Sequence, residues 1–223
     1  MKYPFKYIML MWRPRNGERR IKIGVISVSK EGALAFSYDS VGVAKAKEQD
    51  ATFDGYPGLP IVDVAYTDSD FLKSIFFRRL INLERADRDD LLSFWLLNDE
   101  SASDGIMLLA FTQGMNMSDM FEFVPQFYSS HKTPFITDIA ALSKTNFDLS
   151  QLSVGEILKF EPDVNNPVDK YAVKVLKGSS LVGYIKQGHN LVFAKKSSKS
   201  IRLSVHKIVN IPPYKKLYVK VSF

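Results

Sequence analysis

The sequence of 223 residues contains no cysteine. This absence excludes a disulfide framework, thiolate zinc sites, iron–sulfur clusters and a cysteine nucleophile. The sequence also lacks any apolar run near the roughly 18 residues that a membrane-spanning helix needs. An early apolar run, residues 7–12, is too short for a signal peptide and is followed by Arg13 and Arg15. We therefore expect a cytoplasmic protein that does not bind a membrane.

Motifs of nucleotide and hydrolytic chemistry are missing as well. The sequence has no phosphate-cradling glycine loop, no dinucleotide fingerprint, no His-Glu-x-x-His helix and no Gly-x-Ser-x-Gly elbow. Three histidines lie far apart, and the adjacent carboxylates of Asp89 and Asp90 would point to different faces of a helix. We expect a non-enzymatic protein with no catalytic residue, no metal site and no cofactor.

Acidic residues are scarce in the C-terminal part of the chain. Residues 1–130 carry 15 basic and 18 acidic residues, a formal charge of −3, whereas residues 131–223 carry 15 and 6, a charge of +9. From Lys186 to the last residue there are nine basic residues and no acidic one. Such a field attracts polyanions, although a basic surface can also serve solubility alone.

The pattern of elements indicates an α+β, mostly β fold in two domains. A polar, proline-ended segment at residues 126–134 coincides with the change in charge and marks the boundary. We expect domains at 1–128 and 133–223. In the first, strands are predicted at 7–12, 21–28 and 33–38, a loop at 54–60, and helices from Ser69 or Asp70 to about Arg79 and from Asp87 to Leu97.

The second domain is predicted to be nearly all strand. Five or more short strands in about 90 residues are typical of a small barrel. The predicted strands cover 156–160, 171–176, 181–185, 201–205 and 217–223, with one short helix near 190–194.

The most informative stretch runs from Glu161 to Tyr184. It contains a polar corner, residues 165–169, in which Asn165, Asn166 and Asp169 surround Pro167. Asn and Asp side chains at such a turn commonly cap their own backbone. A hairpin follows, ending near Lys186.

The pattern Glu-Pro-x-x-Asn-Asn-Pro-x-Asp-x-x-Ala-Val-x-Val…Val-Gly-Tyr resembles the HIRAN domain over residues 133–223. The resemblance implies a small β-barrel whose corner holds the 3′-hydroxyl end of single-stranded DNA. The corner residues matched by position are Asn166 and Asp169, a carboxylate being a natural acceptor for a terminal hydroxyl. The basic tail would hold phosphates, and aromatic rings would stack on bases. The residues expected to bind DNA are Asn166, Asp169, Lys170, Tyr184, Lys186, Lys195 and Lys196.

The sequence departs from that family at two places. Val168 stands where the helicase version has an aromatic residue, and residues 145–147, Thr-Asn-Phe, stand where that version has an Arg-aromatic pair in its first strand. Tyr184 and Phe147 are candidate substitutes for the stacking rings, although a lone aromatic residue in a barrel more often belongs to the core.

The N-terminal half resembles the first N-terminal subdomain of HipA-type toxin kinases. The resemblance follows from residues 23–38, the Gly-Leu-Pro-Ile segment at 58–61, the Phe-Phe-Arg-Arg-Leu segment at 76–80 and residues 85–92. The kinase core is absent, and the resemblance implies a separate subunit that binds and restrains a HipA-like kinase. The candidate partner-binding residues are Met115, Met117 and Met120; the alternative is that they fill the domain's own core.

Two functions follow from these patterns. In the first, the chain is an antitoxin or regulatory subunit that binds a HipA-like kinase through its N-terminal half and DNA through its HIRAN-like half. In the second, it is a DNA-end binding module, acting in DNA repair or phage defence, without a kinase partner.

Overall fold

The computed structural model describes residues 2–15, 18–115, 119–128, 130–194, 200–211 and 214–223. The chain divides into two compact units, Met1–Phe127 and Tyr128–Phe223, called here the N-terminal and C-terminal units. None of the helices in the described ranges has the length and apolar character needed to cross a membrane.

The N-terminal unit is built on a four-stranded antiparallel sheet with the order β3-β2-β1-β6. Helices fill the long connection between β3 and β6. The elements are β1 (Phe5–Trp12), β2 (Ile21–Val28), β3 (Leu34–Tyr38), α1 (Ser40–Gln49), β4 (Gly55–Tyr56), β5 (Leu59–Pro60), α2 (Ser69–Phe76), α3 (Arg88–Trp95), α4 (Asp99–Ser103), α5 (Gly105–Thr112) and β6 (Phe121–Phe127).

Helix α2 shows how the sequence fixes one of these elements. Its N-cap is Asp68, whose carboxylate accepts a hydrogen bond from the Phe71 backbone N–H at 3.0 Å. The spacing of Leu72, Ile75 and Phe76 places all three on one buried face. The Phe76 ring lies edge-to-face against other core rings of this unit, so the helix is held mainly by aromatic packing.

The C-terminal unit is a closed six-stranded barrel with the order β10-β7-β12-β11-β8-β9. Inward-facing positions alternate along its strands, and the side chains of Leu217, Val219 and Val221 in β12 are fully buried. The elements are β7 (Phe135–Ala140), β8 (Ile157–Pro162), β9 (Val173–Lys177), β10 (Ser180–Ile185), α6 (Asn190–Ala194), β11 (Arg202–Ile211) and β12 (Tyr214–Ser222).

The predicted α+β, mostly β fold class is confirmed. The elements β6, β7, α1, α4 and α5 were not predicted from the sequence, and the predicted loop at 54–60 contains the short strands β4 and β5. One assignment was wrong: residues 145–147 are not in the first barrel strand. That strand is β7, whereas Thr145 ends a 3₁₀ turn, Leu142–Lys144, and Asn146 has a left-handed backbone with φ of 50°.

Candidate nucleic-acid interface

Backbone hydrogen bonds close the connection between β8 and β9 into a compact loop. The Asp163 N–H donates to the Ala172 carbonyl at 2.8 Å, and the Ala172 N–H donates to the Asp169 carbonyl at 2.9 Å. Within the loop, the Asn166 N–H donates to the Asp163 carbonyl at 3.0 Å. The polar corner is therefore tied at both ends to the barrel.

Asn166 stabilises the polar corner through hydrogen bonds to the backbone of the corner itself. Its Oδ1 accepts hydrogen bonds from the backbone N–H groups of Val168 at 3.0 Å and Asp169 at 3.1 Å. Its Nδ2 donates to Asp163 Oδ2 at 3.0 Å. This is the local backbone capping typical of Asn in turns, so Asn166 shapes the corner.

Asp163 joins the corner to the neighbouring hairpin. Besides the Asn166 amide, its carboxylate accepts the Tyr184 hydroxyl at 3.0 Å and pairs with Lys174 Nζ at 3.2 Å. The Asn166 hydrogen bond, with those of Lys174 and Tyr184, lowers the pKa of Asp163. Burial, with the Asp163 carboxylate nearby, raises the pKa of Tyr184. Tyr184 thus serves as a hydrogen-bond donor within the loop network.

Asp169 is half-buried and held by two donors of its own chain. Its Oδ1 accepts the Tyr171 backbone N–H at 2.9 Å, and its Oδ2 accepts Asn190 Nδ2 at 2.8 Å. An ionised carboxylate offers about four acceptor positions. Asp169 therefore retains the capacity to accept a further hydrogen bond, for example from a hydroxyl group.

Apolar side chains stand out from the surface around this network. Val164 is 80% exposed, Val168 is 54% exposed and Tyr171 is 43% exposed. The Lys170 ammonium lies 4.9 Å from the centroid of the Tyr171 ring. We call Val164, Val168, Lys170 and Tyr171 the corner rim. A rigid polar loop with exposed apolar groups and a cation can contact both the bases and the backbone of a nucleic acid.

Comparison with known families decides what this barrel is. Residues 133–223 match the model of the HIRAN domain. They form a HIRAN domain. The match covers less than half of the chain. No curated protein matches the chain, and nothing supports the expected likeness of residues 1–128 to HipA-type kinases.

Two solved structures are similar to part of this chain. The crystal structure of the HIRAN domain of human HLTF is 20% identical and covers 40% of this chain and 74% of that chain, with a TM-score of 0.33. A crystal structure of a protein from Lactobacillus plantarum is 18% identical and covers 40% of this chain and 92% of that chain, with a TM-score of 0.32.

The lysines expected to bind DNA differ in their exposure to solvent. Lys170 is exposed on the corner rim. Lys186 is fully buried and its ammonium pairs with the Asp138 carboxylate, so it is not placed to contact a phosphate at the surface. This corrects the expectation that it holds phosphates. Lys195 and Lys196 lie outside the described residues.

Other basic side chains are exposed instead. Arg202 and Lys215 lie on the β11–β12 hairpin, and Lys159 lies on β8. Arg202 and Lys215 belong to the part of the sequence without acidic residues, which begins at Lys186. Basic side chains of this segment are therefore exposed on the barrel, as the charge pattern of the sequence predicts.

The aromatic groups available for stacking also differ from those expected. Tyr184 and Phe147 are half-buried, and the Tyr184 hydroxyl is engaged by Asp163. Tyr171 and Tyr214 are 43% and 55% exposed, and neither was among the residues expected to stack on bases. A signal was present, because each tyrosine lies next to a lysine in sequence, Lys170 and Lys215 respectively.

The methionines expected to bind a partner lie only in part within the described residues. Met115 and Met120 are half-buried, and Met117 lies outside the described residues. Phe76 and Trp95 are buried in the core of this unit. Within the described ranges, no group of three or more His, Asp or Glu residues is arranged to hold a metal ion.

Proposed function

We propose that this protein binds single-stranded DNA through its HIRAN domain and captures a 3′-hydroxyl end at the polar corner, as a binding module without catalysis. The observation that carries the proposal is the match of residues 133–223 to the HIRAN family together with the exposed corner that its motif builds. This corresponds to the second function expected from the sequence.

Phosphate contacts would come from exposed cations on two parts of the barrel. Lys170 lies on the corner rim, and Arg202 and Lys215 lie on the β11–β12 hairpin. Charged contacts of this kind give most of the affinity for a single strand and make that affinity fall with salt. They carry no preference for an end, so they explain binding but not capture of a terminus.

The polar corner offers a hydrogen-bond acceptor for the 3′-hydroxyl group of a DNA strand. The Asp169 carboxylate is fixed by two donors and has acceptor capacity left for a hydroxyl hydrogen. A terminal phosphate would bring negative charge against this carboxylate. The corner therefore favours a 3′-hydroxyl over a 3′-phosphate.

The base next to the end would lie on the apolar part of the rim. Tyr171 is exposed there and can present a ring face, and Val168 adds apolar contact. Antitoxin activity through a HipA-like kinase has no supporting observation in the comparisons or at the methionines, and we do not propose it.

Fluorescence anisotropy tests the proposal. Labelled oligothymidylates ending in a 3′-hydroxyl or a 3′-phosphate are titrated with the full chain and with the Asp169→Ala variant. We expect tighter binding to the hydroxyl strand, with the preference lost in the variant and salt-sensitive binding retained. Equal loss of affinity for both strands would remove Asp169 from end recognition, and a wild-type chain without affinity for either strand would overturn the proposal.

A further inference from the structure

The side chain of Asn190 connects helix α6 to the polar corner. Asn190 is 2% exposed. Its Nδ2 donates to Asp169 Oδ2 at 2.8 Å and to the Tyr171 carbonyl at 2.9 Å. Its Oδ1 accepts the Gly188 backbone N–H at 3.0 Å. Both donors of this buried amide are thus directed to the corner, and its oxygen accepts a hydrogen bond from the segment just before α6.

Further contacts of α6 hold the backbone of Asn190 in place. The Asn190 N–H donates to the Lys186 carbonyl at 3.1 Å. Phe193, one turn further, lies edge-to-face against Phe160 of β8 with ring centroids 4.9 Å apart. The start of α6 is therefore held against the barrel at two places, the Lys186 carbonyl just after β10 and the Phe160 ring of β8.

We propose that Asn190 is a positioning residue for end recognition: it fixes the orientation of the Asp169 carboxylate so that the remaining acceptor positions face an incoming 3′-hydroxyl. This inference rests on the proposed function. Asn190 does not touch the DNA; it acts through Asp169. Without its amide, the Tyr171 N–H would be the one remaining donor to the carboxylate among the described residues, and the group could turn about its Cβ–Cγ bond.

The variant Asn190→Asp isolates this role. It keeps the shape of the side chain and an oxygen for the Gly188 N–H, but it replaces both donated hydrogen bonds with a second negative charge beside Asp169. The matched control is Asn165→Asp, which adds the same charge at an exposed residue of the same corner. A second variant, Asn190→Ala, removes the donors without adding charge.

The readout is the ratio of dissociation constants for 3′-phosphate and 3′-hydroxyl strands, with a circular single strand as the end-free ligand. We expect the ratio to fall about tenfold, or about 1.4 kcal/mol, in Asn190→Ala relative to wild type, and by a similar factor in Asn190→Asp relative to Asn165→Asp, which carries the same added charge. For the circular strand, Asn190→Asp should bind with the same affinity as Asn165→Asp. Asn190→Ala should bind the circular strand with the same affinity as wild type. The double variant Asp169→Ala, Asn190→Ala should lose no more selectivity than Asp169→Ala alone.

Several outcomes would overturn the inference. Unchanged or increased selectivity in Asn190→Ala would show that the amide is neutral or competes with the hydroxyl, while the proposed function would stand. A parallel loss of affinity for ends and for the circle would show a role in the fold alone. A wild-type chain that binds single strands without end preference would overturn both end capture and this inference, and one that binds no strand would contradict the proposed function itself.

Discussion

The two units contain similar polar networks in opposite surroundings. In the N-terminal unit, the Arg79 guanidinium pairs with Asp119, with Nη1 to Oδ1 at 2.9 Å, and donates to the Tyr56 hydroxyl at 3.0 Å. The Arg79 side chain is only 7% exposed and lies against core rings. In the HIRAN domain, the network around Asp163 and Asp169 is bordered by exposed apolar groups.

This difference separates stability from binding. A buried arginine with carboxylate and hydroxyl partners satisfies its own charge inside a core, and nothing remains for a ligand. The corner network is also hydrogen-bonded within itself, but its loop carries the exposed Val164, Val168 and Tyr171. The formal charge of the two units also differs, since the N-terminal unit is slightly acidic and the C-terminal unit is strongly basic. The C-terminal unit is therefore the one whose charge attracts a polyanion. Changes in the first unit should therefore alter stability, and changes at the corner rim should alter binding.

The largest expected effect is on stability, from Phe76→Ala. Phe76 is fully buried, with ring centroids 5.4 Å from those of both Tyr56 and Phe123. Its truncation should lower the free energy of unfolding of the N-terminal unit by about 3–5 kcal/mol. Both tryptophans, Trp12 and Trp95, lie in this unit, so urea unfolding followed by tryptophan fluorescence reports on it.

The matched control for this core variant lies on the same helix. Phe71 is 41% exposed, and Phe71→Ala should cost much less than Phe76→Ala. Both variants, measured where they remain folded, should bind single-stranded DNA like wild type. A loss of DNA affinity in folded Phe76→Ala would show that the core of the N-terminal unit also affects DNA binding, which contradicts this division of roles.

A large gain in binding is expected from Val168→Tyr. The substitution places an aromatic ring where the HIRAN pattern has one, at a position that is 54% exposed. Since stacking of one base contributes about 1–3 kcal/mol, affinity for a 3′-hydroxyl strand should rise at least about fivefold in anisotropy titrations. Val164→Tyr, which adds a ring at the 80% exposed position of the same loop, is the control. An equal gain in both variants would indicate non-specific stacking.

Replacing two exposed cations of the HIRAN domain should change the salt dependence. For a single strand, log K falls with log salt by about 0.7 per phosphate contact, so Lys170→Ala with Lys215→Ala should reduce the slope by about 1.4. Lys45→Ala with Lys47→Ala removes two exposed lysines of α1 in the N-terminal unit and should leave the slope unchanged. Equal slopes for the two double variants would contradict the assignment of the phosphate contacts.

The smallest expected effect concerns acid stability. The pKa of Asp163 is lowered below its ordinary value of 3.8, mainly by the Asn166 hydrogen bond. Its carboxylate therefore stabilises the folded HIRAN domain above that value, and this contribution is lost as the pH falls through the folded pKa. Asp163→Asn should make the unfolding free energy depend less on pH between about 5 and 3.

Amide signals of Val173 and Val175 in β9, followed by NMR during acid titration, report on this barrel alone. The control is Asp70→Asn in the N-terminal unit, whose carboxylate is 97% exposed. It should leave the profile of the barrel unchanged. An Asp163→Asn profile as steep as that of wild type would rule out this stabilising role.

Local patterns in the sequence were sufficient for much of the fold. The hairpin strands of the N-terminal sheet and the barrel strands after Gly155 follow from apolar runs between turn residues. The predicted cap of α2 was wrong by one or two positions, since the N-cap is Asp68 and not Ser69 or Asp70. The strand β7 does not, because Phe135 to Ile139 are all buried and show no alternation of apolar and polar residues. Residues 145–147 were assigned to the first strand only because β7 was not identified.

Contacts between distant residues explain what was missed at the site. Lysine is seldom fully buried, so Lys186 was expected at the surface. Its burial depends on Asp138, 48 positions earlier in the sequence. The Asn190–Asp169 hydrogen bond joins residues 21 positions apart, and neither α6 nor the corner indicates the other by its own pattern. Motif spacing thus located the corner, whereas its supports required the three-dimensional structure.

Photo-crosslinking tests the central claim most directly. The full chain is irradiated with a single strand carrying 5-iododeoxyuridine next to its 3′-hydroxyl end, and the crosslinked peptides are identified by mass spectrometry. The account predicts crosslinks to the corner rim, above all at Tyr171, with further crosslinks near Tyr214, and their loss when unlabelled 3′-hydroxyl strand competes. Crosslinks confined to the N-terminal unit would contradict it.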